Sequence, residues 1–325
     1  MKEFICLGIE STSHTFGIGI VSSSGKVLAN ERNVYKPKIG SGIVPIEAAE
    51  HHKQVKEKVL QNALERSEIE LGHVDIISYS AGPGLPPSLN VGADFAEMLA
   101  RLNSKQLVKV NHAVAHLEIG KLTTSTKDPI FVYLSGGNTQ IIAFTEGRYR
   151  IFGETMDIPV GNAFDVVARK MGLGMPGGPE IERLAKDGKY FELPYVVKGM
   201  DLSFSGIVTA CERKINEGIS KENIAYSLQE TCFDMLAEVS ERALAHTEKK
   251  ELLLVGGVAS NKRLQEIFSK MCEDRGAKMY VVPEEYSGDQ AAMIAWTGIL
   301  AKDSKQIQDK INPNWRADQV DVTWI

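Results

Sequence analysis

One local design occurs twice in this chain, about half a chain apart: an apolar strand, a tight polar turn, and a second apolar strand. In the first copy Phe4, Ile5, Leu7 and Ile9 run into Ser11-Thr12-Ser13-His14-Thr15, and Phe16-Gly17-Ile18-Gly19-Ile20-Val21 returns. A Ser23-Ser24-Gly25 turn then leads to a third strand at Val27-Leu28-Ala29. In the second copy Ile130-Phe131-Val132-Tyr133-Leu134 runs into Ser135-Gly136-Gly137-Asn138, Thr139 to Phe144 returns, and Arg148 to Phe152 is the third strand. Short apolar runs joined by such turns read as β-meanders, not as the opening of a βαβ unit. The recurrence reads as a structural repeat, so the chain is expected to fold as two similar halves.

Helical periodicity follows each meander. Val55, Val59, Leu60 and Ala63 recur near a period of 3.6 within Glu47 to Arg66. Val74 to Ser80 is a buried strand that enters Gly82-Pro83-Gly84-Leu85-Pro86-Pro87, read as a non-helical loop because of its prolines, before a helix from Gly92 to Leu102. Leu107 to Val110 is a strand, His112 to Leu122 a helix, and Thr123 to Lys127 a polar connector. In the second half, helices are expected at about 160–172, 178–187, 203–216 and 221–248. Leu252 to Val255 is a strand ending in Gly256-Gly257, followed by a helix at Lys262 to Asp274, a strand at Met279 to Val282, a helix at Asp289 to Ala301 and an extended tail from Ile311. The expected division is residues 1–127, with 290–325 packing back on them, and 128–289, with a helical insertion at about 160–248.

Composition narrows the classes. The 325 residues carry 37 Lys and Arg against 42 Asp and Glu, a net charge of −5, with 43% apolar residues spread along the whole chain. That supports large buried cores and argues against long disordered stretches. No apolar run approaches the ~20 residues that a bilayer requires. The first residues do not form a signal peptide, so a cytoplasmic protein is expected. Cys6, Cys211, Cys232 and Cys272 form no CxxC pair and are expected to be buried thiols. A protein that grips nucleic acid alone has a strong basic footprint. Here it is only local, at Arg32, Lys36, Lys38, His51, His52, Lys53, Lys56 and Lys58, which a solvated face also explains.

The turns carry the first chemical signal. Glycine lets backbone N–H groups approach an anion, and hydroxyls add donors. Ser11, Thr12 and Ser13 form one such turn and Ser135, Gly136, Gly137 and Asn138 another. Gly256-Gly257, between a buried strand and a helix, is a third place where a nucleotide can sit. Three in this order resemble the actin-like ATPase superfamily of sugar kinases, Hsp70-type chaperones and actin, and no Walker A sequence is present.

His112 and His116, four apart on one helix face, suit one divalent metal. Ala113 stands where a zincin protease needs its glutamate, so a metal here would orient and polarise a substrate. Tyr133 and Asp289 are candidate oxygen ligands, Asp289 also reading as a plain helix cap. Asp165 and Glu182 are carboxylates of the kind that hold ribose hydroxyls, although taken alone each reads first as a solvent-facing helical acid. Asn261 could reach a base or ribose, or could simply cap its helix.

Six segments in order carry a closer resemblance: Gly8 to Thr15, Asn111 to His116, Tyr133 to Gln140, Val160 to Arg169, Asp201 to Gly206 and Gly256 to Asn261. Together they resemble the universal tRNA threonylcarbamoyladenosine transferases, formerly called O-sialoglycoprotein endopeptidases. Asn314 to Val320 is similar to the archaeal and eukaryotic branch, which works in the KEOPS complex. Some archaeal relatives carry a fused protein kinase. The resemblance implies an α/β, two-domain actin-like ATPase fold with ribonuclease H-like repeats and a nucleotide cleft between the domains. It implies transfer of the threonylcarbamoyl group of L-threonylcarbamoyl-adenylate to N6 of adenine 37 in tRNAs reading ANN codons, with AMP leaving. It implies His112, His116, Tyr133 and Asp289 as ligands of one iron or zinc ion, with magnesium a separate candidate cofactor. It places Ser135, Gly136, Gly137 and Asn138 on the phosphate and metal side of ATP or the adenylate and Asp165, Gly178, Glu182 and Asn261 on the ribose and base side, with Gly257 a further nucleotide-binding position. The expected partners are tRNA, a small atypical protein kinase, a dimerising subunit and a regulatory subunit, with weak activity in isolation.

Three rivals share parts of this pattern. A small-molecule kinase of the same superfold is disfavoured by the paired histidines, because magnesium prefers oxygen. A metalloprotease lacks its glutamate at position 113. An ATP-driven assembly module would bind nucleotide without carbamoyl transfer.

Overall fold

The computed structural model describes residues 3–37 and 42–325. Lys38, from the basic cluster, falls outside them. The described chain forms two compact units. One gathers the chain up to Thr123 with Thr145–Tyr149 and Asp289–Ile325, and the other is Thr124–Phe144 with Arg150–Gly288.

The first unit is built on β1 (Ile5–Glu10), β2 (Thr15–Ser22), β3 (Val27–Val34), β4 (Ile76–Gly82) and β5 (Gln106–Asn111), in the order β3-β2-β1-β4-β5. The meander β1–β3 is antiparallel, while β4 and β5 add in parallel. Parallel strands need crossovers, and α1 (Pro45–Ser67) and α2 (Pro86–Leu102) supply them. α3 (His112–Thr124) follows β5 directly. Leu7, Ile9, Phe16, Ile18, Ile77, Tyr79 and Phe95 are fully or almost fully buried in this unit's core.

The second unit repeats the plan with β6 (Ile130–Leu134), β7 (Thr139–Thr145), β8 (Arg148–Glu154), a two-stranded hairpin of β9 (Val197–Lys198) and β10 (Asp201–Leu202), β11 (Glu251–Val255) and β12 (Lys278–Val281). Its main sheet runs β8-β7-β6-β11-β12, the order of the first sheet, with β11 parallel to both β6 and β12. The repeat read from the two meanders therefore extends to the parallel strands. Helices α4 (Val160–Lys170), α5 (Gly177–Ala185), α6 (Ser205–Asn216), α7 (Lys221–Thr247), α8 (Lys262–Asp274) and the single-turn α9 (Glu284–Ser287) belong to this unit, and α10 (Ala291–Leu300) returns to the first. Phe164, Phe204, Phe233 and Phe268 fill its core. All four cysteines are buried thiols. No helix among the described residues is long and apolar enough to cross a membrane.

Two readings need correction. Pro86 and Pro87 open helix α2 and are not part of the preceding loop. Proline is compatible with a first turn because the N–H it lacks has no helical partner there and its fixed φ is already helical. Asp289 does not cap α10. The cap is Gln290, whose side-chain oxygen accepts from Met293 N at 3.0 Å, leaving the Asp289 carboxylate to other partners. The β9–β10 hairpin and α9 were too short for periodicity to reveal.

Glycine sets how α10 lies on the first sheet. Gly8 and Gly19 are cross-strand partners on β1 and β2. A Cβ on Gly8 would stand 2.3 Å from Ala295 N, and one on Gly19 would stand 2.3 Å from Ala292 N. The helix backbone therefore rests directly on the strands, which holds the residues before its first turn in place.

Candidate metal centre

His112 is the first residue of α3, and Asn111 shapes that junction. Its Oδ1 accepts from Val114 N at 3.0 Å, and its Nδ2 donates to Trp315 O at 2.9 Å. One turn on, His116 presents its ring on the same face, 4.8 Å from His112 between centroids and at 84°. Asp289 arrives from the segment before α10, its backbone oxygen accepting from Arg32 Nη1 at 3.3 Å. Its Oδ1 lies 3.5 Å from His112 Nε2 and 3.5 Å from His116 Nε2. The three potential ligand atoms lie within 4.8 Å of one another. His112 is 6% exposed and His116 1%.

This donor set fits a transition metal. Zinc-to-ligand bonds of about 2.1 Å at tetrahedral angles separate neighbouring donors by roughly 3.4 Å, close to the 3.5 Å found here. Two imidazoles with one carboxylate suit iron or zinc, whereas magnesium takes oxygen.

The charges agree with a cation site. Burial disfavours a proton on His112, but the Glu10 carboxylate and Asp289 outweigh it and raise the group to about 9. Burial dominates at His116 and lowers it. Burial also pushes the Asp289 carboxyl up, yet His116, His112 and His14 together hold it well below the usual carboxylate range.

Glu10 is not among the residues singled out from the sequence. In the fold it is fully buried, with Oε2 2.9 Å from His112 Nδ1 and Oε1 accepting from Thr12 N at 2.7 Å and from Thr12 Oγ1. The one available signal is an acid closing an otherwise apolar strand. The neighbouring turn is mostly enclosed: Ser11 and Thr12 are buried and Ser13 is half-buried. Ser11 N donates to Ser80 Oγ, and Leu85 N donates to Thr12 O.

The remaining candidates belong to the second unit and are described there. Ser135 Oγ accepts from Gly137 N and Asn138 N at 3.2 and 2.9 Å, which closes the turn. Asn138 Nδ2 donates to the hydroxyl of the buried Tyr133 at 3.4 Å. A Cβ at Gly136, Gly137, Gly178 or Gly257 would meet nothing within 4 Å, so backbone there is open to close approach. Asp165 Oδ1 accepts from Gly177 N at 2.7 Å and Glu182 Oε1 from Lys262 N at 2.8 Å. Asn261 caps α8 through Leu264 N and also donates to Gln229 Oε1 at 3.1 Å.

The sequence model of the family described as TsaD, tRNA N6-adenosine threonylcarbamoyltransferase, matches residues 26–296. A protein of Thermofilum pendens named tRNA N6-adenosine threonylcarbamoyltransferase is 51% identical, over 100% of this chain and 98% of its own. One of Methanopyrus kandleri with the same name is 49% identical, over 98% and 96%. A probable bifunctional tRNA threonylcarbamoyladenosine biosynthesis protein of Methanocaldococcus jannaschii is 50% identical over 99% of this chain, which spans 60% of that longer protein. Among solved structures, HypF of T. kodakarensis superposes with a TM-score of 0.62 at 15% identity, over 92% of this chain and 48% of that one. Component A of the (R)-2-hydroxyglutaryl-CoA dehydratase of Acidaminococcus fermentans gives 0.57 at 12%, over 92% and 99%. These two likenesses establish an actin-like α/β fold and nothing about chemistry.

Proposed function

We propose, from the premise that the chain belongs to the tRNA N6-adenosine threonylcarbamoyltransferase family, that it transfers the threonylcarbamoyl group of L-threonylcarbamoyl-adenylate to N6 of adenine 37 in tRNAs reading ANN codons. The observation that carries the reading is the convergence of the buried His112 and His116 with the partly buried Asp289 on one point. Iron or zinc held there would supply Lewis acidity to the adenylate's mixed anhydride. Tyr133 belongs to the other unit and enters the ligand set through the family resemblance alone.

In the reaction the N6 amine forms a bond to the carbamoyl carbon, the bond from that carbon to the phosphate oxygen breaks, AMP leaves, and N6 loses a proton. His112 and His116 contribute imidazole nitrogens and Asp289 a carboxylate, so the site offers a fixed anionic and nitrogen-rich recess for a cation. His112 and His116 are buried, which strengthens each charge interaction there. Positioning a weak amine nucleophile supplies much of the rate. The Ser135, Gly136, Gly137 and Asn138 turn would take the phosphate side. Asp165, Gly178, Glu182 and Asn261 would take the ribose and base, with Gly257 a further nucleotide-binding position, and the Ser11, Thr12 and Ser13 turn is a second phosphate-loop candidate.

The net charge of −5 supports a subunit that does not hold tRNA unaided. The partners in this reading are a small atypical protein kinase, a dimerising subunit and a regulatory subunit of a KEOPS-type complex, working in the cytoplasm. The test is nucleoside analysis of unmodified tRNA after incubation with this protein, its partners, threonine, bicarbonate, ATP and an adenylate-forming synthase. Threonylcarbamoyladenosine forms with wild type and disappears with His112→Ala. No product with all partners present refutes the reading.

A further inference from the structure

We propose that Glu10 is a positioning residue that aims His112 at the metal and ties the Ser11–Thr15 turn to the same support. This rests on the metal reading above. Glu10 ends β1 opposite Gly17 and is 0% exposed. A carboxylate removed from water persists only with good partners, and both of its oxygens have them. Oε2 takes His112 Nδ1 at 2.9 Å, and Oε1 takes Thr12 N at 2.7 Å together with the Thr12 hydroxyl. The Thr12 hydroxyl is itself 3.4 Å from His112 Nδ1, so three groups share one carboxylate.

The geometry assigns direction. With Glu10 as acceptor, Nδ1 is the ring's donor, and Nε2 is the nitrogen that faces Asp289 Oδ1, 3.5 Å away. A carboxylate behind a metal-binding histidine fixes its tautomer and ring plane and makes it a better ligand. A side chain that merely closed the turn would need one oxygen, on Thr12. The second oxygen, on His112, has no part in the turn. Glu10 therefore links two features that lie 100 residues apart in sequence, Thr12 and His112. Filling the metal site should stiffen the turn, and loosening the turn should weaken the metal site.

The test uses the full-length chain and zinc alone, by competition with a chromophoric chelator, for wild type, Glu10→Gln, Thr12→Val and Asp289→Asn. Two structural readouts accompany it: the ring nitrogen resonances of His112 in the zinc form, and amide exchange of residues 11–15 with and without zinc. Glu10→Gln should weaken zinc by about 10- to 100-fold with little change in unfolding midpoint, shift the His112 ring resonances, and abolish the zinc-dependent protection of residues 11–15. Thr12→Val should speed exchange in the turn and weaken zinc less. Zinc affinity within about twofold of wild type in Glu10→Gln, with unchanged ring resonances, overturns the proposal and leaves the metal reading standing. A wild-type chain that takes up no zinc overturns both. If Glu10→Gln does not fold, Thr12→Val decides, and unchanged exchange with unchanged zinc affinity overturns the proposal.

Discussion

Replacing Gly19 by alanine should damage the metal centre without touching any of its ligands. A Cβ at position 19 would lie 2.3 Å from Ala292 N and 2.4 Å from Ala291 C, both backbone atoms in the first turn of α10. Ordinary contact needs about 3.4 Å, so the helix has to retreat by roughly 1 Å, since no side-chain rotation relieves a backbone clash. Overpacking of this kind costs about 1–3 kcal/mol. Asp289 precedes that turn, and metal sites tolerate errors of only about 0.2 Å in ligand distance. Gly19→Ala should therefore lower stability by about 2 kcal/mol in denaturant titration and weaken zinc by at least about tenfold. Gly206→Ala is the control. It lies in α6 with nothing within 4 Å of a new Cβ and should be neutral or slightly stabilising, with zinc unchanged. A Gly19→Ala protein as stable as wild type, with wild-type zinc affinity, would refute the reasoning that links the glycine pair to Asp289.

Other outcomes follow from individual groups. His52 is fully buried, and burial together with the neighbouring His51 lowers it to about 4. The unfolded chain therefore takes up this proton near the ordinary value of 6.5 while the folded chain does not, so stability falls as pH drops from about 6.5 to 4, by about 3 kcal/mol, and His52→Gln should flatten that loss. Asp157 accepts from Phe204 N at 2.9 Å and Ser205 N at 3.0 Å at the start of α6. Asp157→Ala should cost about 1–2 kcal/mol in denaturant unfolding, the usual value of a lost helix cap. Lys109 Nζ donates to the carbonyls of Ile307, Gln308 and Asp309 at 2.9, 3.2 and 2.9 Å. Lys109→Met should make the segment around residue 308 cleavable by protease at concentrations that leave wild type intact.

Much of this was legible before the fold was known. Ser11 to Thr15 and Ser135 to Asn138 sit between apolar strands, and that alone showed two meanders. The 3.6 period placed His112 and His116 on one helix face. Other features were not legible because they depend on contacts between distant segments. Gly8 and Gly19 look like ordinary strand glycines until α10 is known to lie across them. Glu10 looks like the end of a strand until α3 brings His112 against it. Asp289 resembled a helix cap because a polar residue before Ala291 fits that rule, and only the Gln290 bond to Met293 showed otherwise. Pro86 and Pro87 misled because proline excludes a helix interior but favours its first turn.

Transfer is expected to depend on a metal at His112, His116 and Asp289. The most direct measurement is single-turnover transfer from preformed threonylcarbamoyl-adenylate to unmodified tRNA. The assembled complex would be assayed after metal removal and again after reloading with iron or zinc, beside Asp289→Asn. The expected result is loss of transfer on stripping, recovery on reloading in wild type, and no recovery in the variant. Undiminished transfer by the stripped complex, or by Asp289→Asn, would contradict the account.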